Sequence, residues 1–199
     1  MTSADDTRKR ILAAATAEFA ARGIAGARVD RIAQSSGASK PMLYAYFGGK
    51  EQLFDAVFAG HVIANTDRVP FTADDLPGYA ERLYDDYLAD PDLPRLIAWK
   101  RLERVSRGYL YEGLEANDEA HLRDIEVQQR QGTIRPDLDP VDVWSLLISA
   151  ASTWAQVAVT EVADSDEPLV VHRRRKKSLS DTVRLGLCQP SPSTVTSNP

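Results

Sequence analysis

Residues 29–48, VDRIAQSSGASKPMLYAYFG, decide the fold of this chain. Ala33 is small enough for two helices to cross closely. Gly37 can take the left-handed conformation that ends the first of them, and Leu43 turns the apolar side of the second back into a core. Ser39 is placed to cap the second helix, and Pro41 falls in its first turn, where the missing N–H costs little, so that helix reads Lys40 to Phe47. At helical spacing Leu43 and Phe47 share an inward side while Lys40 and Tyr44 share an outward one. An exposed lysine and tyrosine on a short helix suit a phosphate-lined groove, so the spacing predicts a helix-turn-helix with duplex DNA as its partner. The bland alternative is an ordinary helical hairpin with a solvated outer face.

Working outward, a first helix runs from about Asp6 to Arg22 with Leu12, Ala15 and Phe19 on one side, and Gly23 is placed to stop it. From Lys50 a longer helix carries Leu53, Phe54, Val57, Phe58 and His61 to about Asn65 as a connecting rod. One ordered pattern then spans residues 8–58: Ile11, Ala14, Ala15, Phe19 and Gly23; Ile32 and Ala33; Gly37, Ala38, Ser39, Leu43, Tyr44, Tyr46 and Phe47; and Lys50, Glu51, Leu53 and Val57. This stretch resembles the DNA-binding domain of the tetracycline-repressor (TetR) family. Beyond it the likeness is diffuse, chiefly Gly132, Ile134, Arg135 and Asp137 to Pro140. Two departures stand out. Ala27 and Arg28 occupy the start of the second helix, where a Ser or Thr is usual, and Gly49 stands where a Ser-like cap often precedes the lysine. One hydroxyl contact to phosphate is thereby lost, and Arg28 offers a charged one in its place.

The 199 residues, 43% hydrophobic and 27% charged, suffice for one ordinary core or two small ones. The net charge of −5 would argue against nucleic acid if it were evenly spread. Residues 1–50, however, hold eight Lys/Arg against four acids, a local +4, and the remainder holds 16 against 25, or −9. A basic head on an acidic body fits a DNA-binding domain joined to a second domain, because phosphate affinity follows local positive charge. The expected division is 1–50 for the helix-turn-helix head, 51–188 for a helical effector-binding and dimerisation body, and 189–199 for a disordered Pro/Ser/Thr-rich tail. No run approaches the roughly 20 apolar residues of a membrane span. The opening MTSADDTRKR lacks the apolar run of a secretory signal, so a cytoplasmic location with no membrane partner is expected. The single Cys188 rules out an intrachain disulfide and reads as an idle thiol.

The body reads as all-α. Helices are expected from Leu76 to near Pro91, Leu93 to Arg107, Leu114 to Gln131, a long apolar one through Trp144 to Ala158 after the Asp139–Pro140 start, and a last one from Leu169 to about Leu187. The Trp144 helix is apolar over so much of its circumference that Leu147, Ala151 and Trp154, with Leu179, Val183 and Leu187 of the last helix, are expected to form a four-helix contact between two copies. The run Arg173 to Lys177 invites a second nucleic-acid reading, against which stands a solvated face paired with acids.

Reach divides the DNA contacts: Ser39, Lys40, Pro41 and Met42 against base edges, Arg28, Tyr44, Tyr46 and Lys50 on phosphates. Two copies would read a near-palindromic operator. The resemblance implies a repressor released when a small molecule, whose identity the sequence leaves open, enters the body and tilts the Lys50 helix. Candidate pocket residues are His61, Tyr84, Tyr87, Trp99, Tyr109, His121 and Trp144, each with core packing as its plainer role. An enzyme lacks a named actor: His61, His121 and His172 are too far apart for a metal pair, no P-loop or GxSxG is present, and neither a metal nor a cofactor is expected. The other competing class is a small-molecule-binding or scaffold protein that does not use its DNA-binding head.

Overall fold

A computed structural model describes residues 4–110 and 115–190. Among them the helices are α1 (Ala4–Gly26), α2 (Val29–Ser36), α3 (Lys40–Phe47), α4 (Lys50–Arg68), α5 (Leu76–Ala89), α6 (Asp92–Glu103), α7 (Glu115–Gln131), α8 (Pro140–Ala151) and α9 (Leu169–Leu187). No strand occurs among the described residues; an isolated antiparallel bridge, Ile134 with Cys188, pins the end of α9 to the α7–α8 turn. Burial pushes the half-buried Cys188 thiol above its ordinary range, which fits an inert role. Of the expected tail, residues 191–199 lie outside the described residues.

Local chemistry sets the helix ends. Gly37 adopts φ 66°, ψ 21° and its N–H returns to the carbonyls of Ala33 and Gln34, ending α2. The Ser39 hydroxyl accepts from the Met42 N–H at 3.3 Å, with Pro41 in the first turn of α3, a cap that contributes about 1 kcal/mol. Asp139 caps α8 in the same way through the Val141 N–H at 2.8 Å. Two helices stop earlier than their periodicity suggests. Helix α6 ends at Glu103, not Arg107, where Arg101 Nη1 ties the carbonyls of Val105 and Gly108 into a turn. Helix α8 ends at Ala151, not Ala158, where the hydroxyls of Ser152 and Thr153 take the carbonyls of Ser149 and Ala150.

Two cores result. The head core gathers Ile11, Ala15, Phe19, Ile32, Leu43 and Phe47, continues along α4 through Leu53, Phe54, Val57 and Phe58, and takes in Leu96 of α6. The body core is built from Leu76, Tyr79, Leu83, Ile125, Val143, Leu147, Leu179 and Val183, and Val62 and Ile97 touch both. Within the body, α9 lies on α5 and α8. This corrects the expected contact between copies: Leu147, Ala151, Leu179, Val183 and Leu187 are all buried in their own chain, and Trp154 leans on the Tyr84 ring. An apolar stripe has the same spacing whether it covers its own core or a partner's. The outward large apolar residues of α8 and α9 are Val141, Leu146, Leu169, Val170 and Leu185.

Three of the five basic residues of the α9 run meet acidic partners, while Arg173 and Arg174 are exposed. Arg175 is 1% exposed and reaches Glu167 at 2.5 and 3.1 Å and Glu161 at 3.1 Å. The guanidinium holds the Glu167 carboxyl down at about 2. Lys176 pairs with Asp85 and Lys177 with Asp181. At those three positions the acidic neighbours are the ones a structural role requires.

Helix α1 breaks at Gly23, which takes φ 71°, ψ −178°, a conformation in practice reserved for glycine. The break receives α6: Trp99 Nε1 donates to the Ala20 carbonyl at 3.1 Å, and Glu103 Oε2 accepts the Ala25 N–H at 2.8 Å. A Cβ at Gly23 would lie 2.5 Å from Glu103 and 2.7 Å from the Trp99 ring. Gly23→Ala is therefore expected to cost about 1–3 kcal/mol or more in chemical denaturation. Gly60→Ala, inside α4 with nothing near the new methyl, should stabilise by about 0.4–1 kcal/mol. Equal effects at the two glycines would refute this account of the break.

Candidate functional site

The outer flank of α3 is the first site. Leu43 and Phe47 are buried, so the opposite side of the helix is turned to solvent: the Lys40 side chain is 55% exposed, and Tyr44 and Met42 are 50% and 42% exposed. Pro41 and Ser39 are exposed beside them. Lys40 is ion-paired with Asp30 of α2, which orients the ammonium across the two helices. Tyr46, 38% exposed, donates from its hydroxyl to the Ala4 carbonyl at 3.3 Å and so ties α3 to the start of α1.

Of the expected phosphate contacts, Tyr46 and Lys50 have internal side-chain partners. Lys50 Nζ donates to the carbonyls of Ala25 and Ala27, both at 3.3 Å, closing the α1–α2 turn from the start of α4. The exposed Arg28 has its backbone N–H on Glu18 Oε1 at 2.9 Å, leaving the side chain on the surface. The same Glu18 carboxylate takes Arg31 Nε at 2.7 Å, and these contacts hold its pKa down against the opposing effect of desolvation. Sequence reasoning passed over Arg8 and Arg10. Arg8 lies over the Phe47 ring at 5.5 Å, and Arg10 sits close to Gly37. Both extend the cationic surface beside α3, and their place near it depends on how α1 crosses the pair.

The second site is a cavity of about 600 Å³ in the body, between α4, α5, α6, α7 and α8. Of the residues proposed for it, Tyr87, Tyr109, His121 and Trp144 line it. Phe71, Tyr79, Arg101 and Asp118 also line it and were missed, because a loop residue and three scattered helical ones share no spacing. Tyr84 instead faces a smaller cavity of about 420 Å³ beside Trp154 and hydrogen-bonds His172 Nδ1 at 2.7 Å. Trp99 belongs to the α1–α6 contact. His61 lies at the junction of head and body, with Nε2 on Thr16 Oγ1 at 3.2 Å and Nδ1 on Asp90 at 3.0 Å.

His121 stands between Phe71 and Trp144, at ring-centroid distances of 4.8 and 4.6 Å. Its Nδ1 is buried without a hydrogen-bond partner, 3.8 Å from the Asp118 carboxylate. Burial lowers its pKa against the opposing pull of Asp118 and Asp124. The fold therefore favours the neutral ring over the charged one.

A basic helix-turn-helix head with an open α3 flank, joined through α4 and the α1–α6 contact to a helical body, is the architecture of a DNA-binding regulator. Comparison with known proteins makes the family specific. The model for bacterial regulatory proteins of the tetR family matches residues 11–57, and the model for the tetracyclin repressor-like C-terminal domain matches residues 75–184. The chain belongs to the TetR family of transcriptional regulators. It is 38% identical over 155 residues to the HTH-type transcriptional repressor SCO4008 of Streptomyces coelicolor, covering 76% of this chain and 79% of that protein. It is 28% identical over 144 residues to the HTH-type transcriptional repressor NicS of Pseudomonas putida, covering 68% and 63%. The crystal structure of the transcriptional regulator SCO4942 from Streptomyces coelicolor superposes with a TM-score of 0.78 at 40% identity, covering 92% of this chain and 99% of that one. No described helix is long and apolar enough to cross a membrane.

The His121 environment has a pH consequence. Below the ordinary imidazole value of about 6.5 the unfolded chain takes up a proton that the folded ring resists. The contribution is thus complete above that pH and is lost as pH falls toward the lowered folded value. His121→Phe should flatten the acid side of a stability-against-pH curve measured by thermal melting. An unchanged slope would mean that the ring titrates freely in the fold.

Proposed function

We propose that this DNA-binding regulator is a homodimeric repressor that reads a near-palindromic operator through α3 and is released when a small molecule fills the body cavity. The observation that carries the reading is the exposed α3 flank bearing Lys40, Met42 and Tyr44 on a capped, core-anchored helix. Lys40 and Met42, with Ser39 and Pro41, take the base edges. Tyr44 and Arg28 take phosphates, with Tyr46 and Lys50 bracing the head as well as facing the backbone. Two copies pairing through the outer faces of α8 and α9, where Leu146 and Leu185 are exposed, would present two α3 helices to half-sites about 34–36 Å apart. Metal and cofactor have no part in this reading. The scaffold alternative is not favoured, since the relatives carry the names of transcriptional repressors and regulators.

Lys40→Ala should weaken binding to the preferred operator by about 1–3 kcal/mol and leave a scrambled duplex nearly unaffected. Equal losses on both duplexes in fluorescence-anisotropy titrations would make Lys40 a phosphate contact instead.

Release requires that the ligand prefer an arrangement in which the heads leave operator spacing. A continuous polar chain supports a route for that preference. Asn65, which lines the cavity, donates to Asp86 at 2.6 Å; Asp86 takes Arg68 at 2.5 and 2.9 Å; Arg68 also reaches Asp90 at 3.1 Å; and Asp90 holds His61, whose other nitrogen meets Thr16 in α1. The chain runs from cavity wall to head without a gap. For a compound that frees the operator from the wild-type protein, His61→Phe and Thr16→Val should each retain operator binding and compound binding. The factor by which that compound weakens operator binding should fall about three- to thirtyfold. Full release by both variants would reject this route.

A further inference from the structure

We infer that the body cavity takes a planar aromatic ring system carrying no acidic group, seated against Phe71, Tyr79 and Trp144. This deepens the effector reading above and rests on it. Shape is the first argument. Phe71 meets Tyr79 edge-on at 5.0 Å and Trp144 edge-on at 5.1 Å, while Tyr79 and Trp144 lie nearly parallel at 6.2 Å. These rings, with His121 tilted on Trp144, form one continuous aromatic wall. Much of the remaining lining is aliphatic, as at Val62, Ile97 and Ile148. A flat ring gains stacked or edge contacts on such a wall that a globular aliphatic body of equal volume does not.

Charge is the second argument. The charged residues lining the cavity are Arg101 and Asp118, whose formal charges cancel. Arg101 spends Nη1 on the carbonyls of Val105 and Gly108, at 3.0 and 2.9 Å. Asp118 accepts the Tyr109 hydroxyl at 2.5 Å. An anion would meet the electron-rich ring faces and the Asp118 carboxylate, and the Arg101 guanidinium that offsets them has Nη1 turned away to two backbone carbonyls. A neutral ring system, or one with a weakly basic nitrogen, meets no such opposition. With Nδ1 of His121 sealed beside Asp118, the rest of that imidazole is what it offers to a single polar group on the ligand.

Acridine at mildly alkaline pH, where it is uncharged, is the probe, titrated calorimetrically into the full-length protein. It should bind, while anthracene carboxylate and adamantanol, matched for ring size and for bulk, should each bind at least about tenfold more weakly. Trp144→Leu and Phe71→Leu should each weaken acridine by about tenfold, the loss of one good aromatic contact. Trp154→Leu, in the smaller cavity, should leave acridine binding unchanged. Either lining variant suffices if circular dichroism shows that the other has not folded. Failure of acridine to bind, parity of the carboxylate or adamantanol with it, or full binding by a folded lining variant would overturn the inference. Operator release is read separately. Acridine that binds here without freeing the operator counts against the effector reading and leaves the ligand class standing. An aliphatic or anionic compound that frees the operator through this cavity does the reverse.

Discussion

The seat of α6 in the break of α1 is the contact on which the rest of the molecule depends. A glycine at position 23 leaves no Cβ between the two helices, so the Trp99 indole and the Glu103 carboxylate reach the backbone of α1 directly. The two domains are thus joined by more than the covalent rod of α4. Leu96 of α6 completes the head core, and Lys100 lies over the Phe58 ring at 4.1 Å. Because the α1–α6 seat is close-packed while the other side of α6 borders a cavity, a shift of α6 would carry α1 with it.

The cavity lies where such a shift would begin. Ile97 and Arg101 of α6 and Val62 and Asn65 of α4 all face it, so both connections between head and body share its wall. The ion-paired chain through Asp86, Arg68, Asp90 and His61 adds directional links, in which small displacements lengthen hydrogen bonds instead of sliding along an apolar surface. Asp90 is held in its charged form by His61 and Arg68 despite the opposing effect of desolvation. The arrangement therefore sets a chain of charged hydrogen bonds beside a hollow, which suits the proposed conversion of occupancy into a change of head position.

The helix-turn-helix was legible because its signals are local. Gly37, Ser39 and Pro41 act within one turn of where they stand, and the expected α3, Lys40–Phe47, is the observed one. The same holds for α9, Leu169–Leu187. Periodicity overran α6 and α8 because their ends are set by side chains folding back on carbonyls, which leaves the apolar spacing intact. Lys50 and Trp99 show the limit at single residues. A lysine at a helix start and a tryptophan on a helix carry no mark of whether they face a ligand, a groove or another helix.

By itself the sequence determined the all-α class, the helix-turn-helix with the bounds of α3, the charge division between head and body, and the family resemblance, since each rests on contacts between residues close in the chain or on composition. Only the tertiary structure decided which apolar stripes cover their own core, where the cavity opens, and that Phe71, Tyr79, His121 and Trp144 meet in one wall. Those outcomes depend on how helices distant in the chain cross, and crossing is set by side-chain packing across many elements at once.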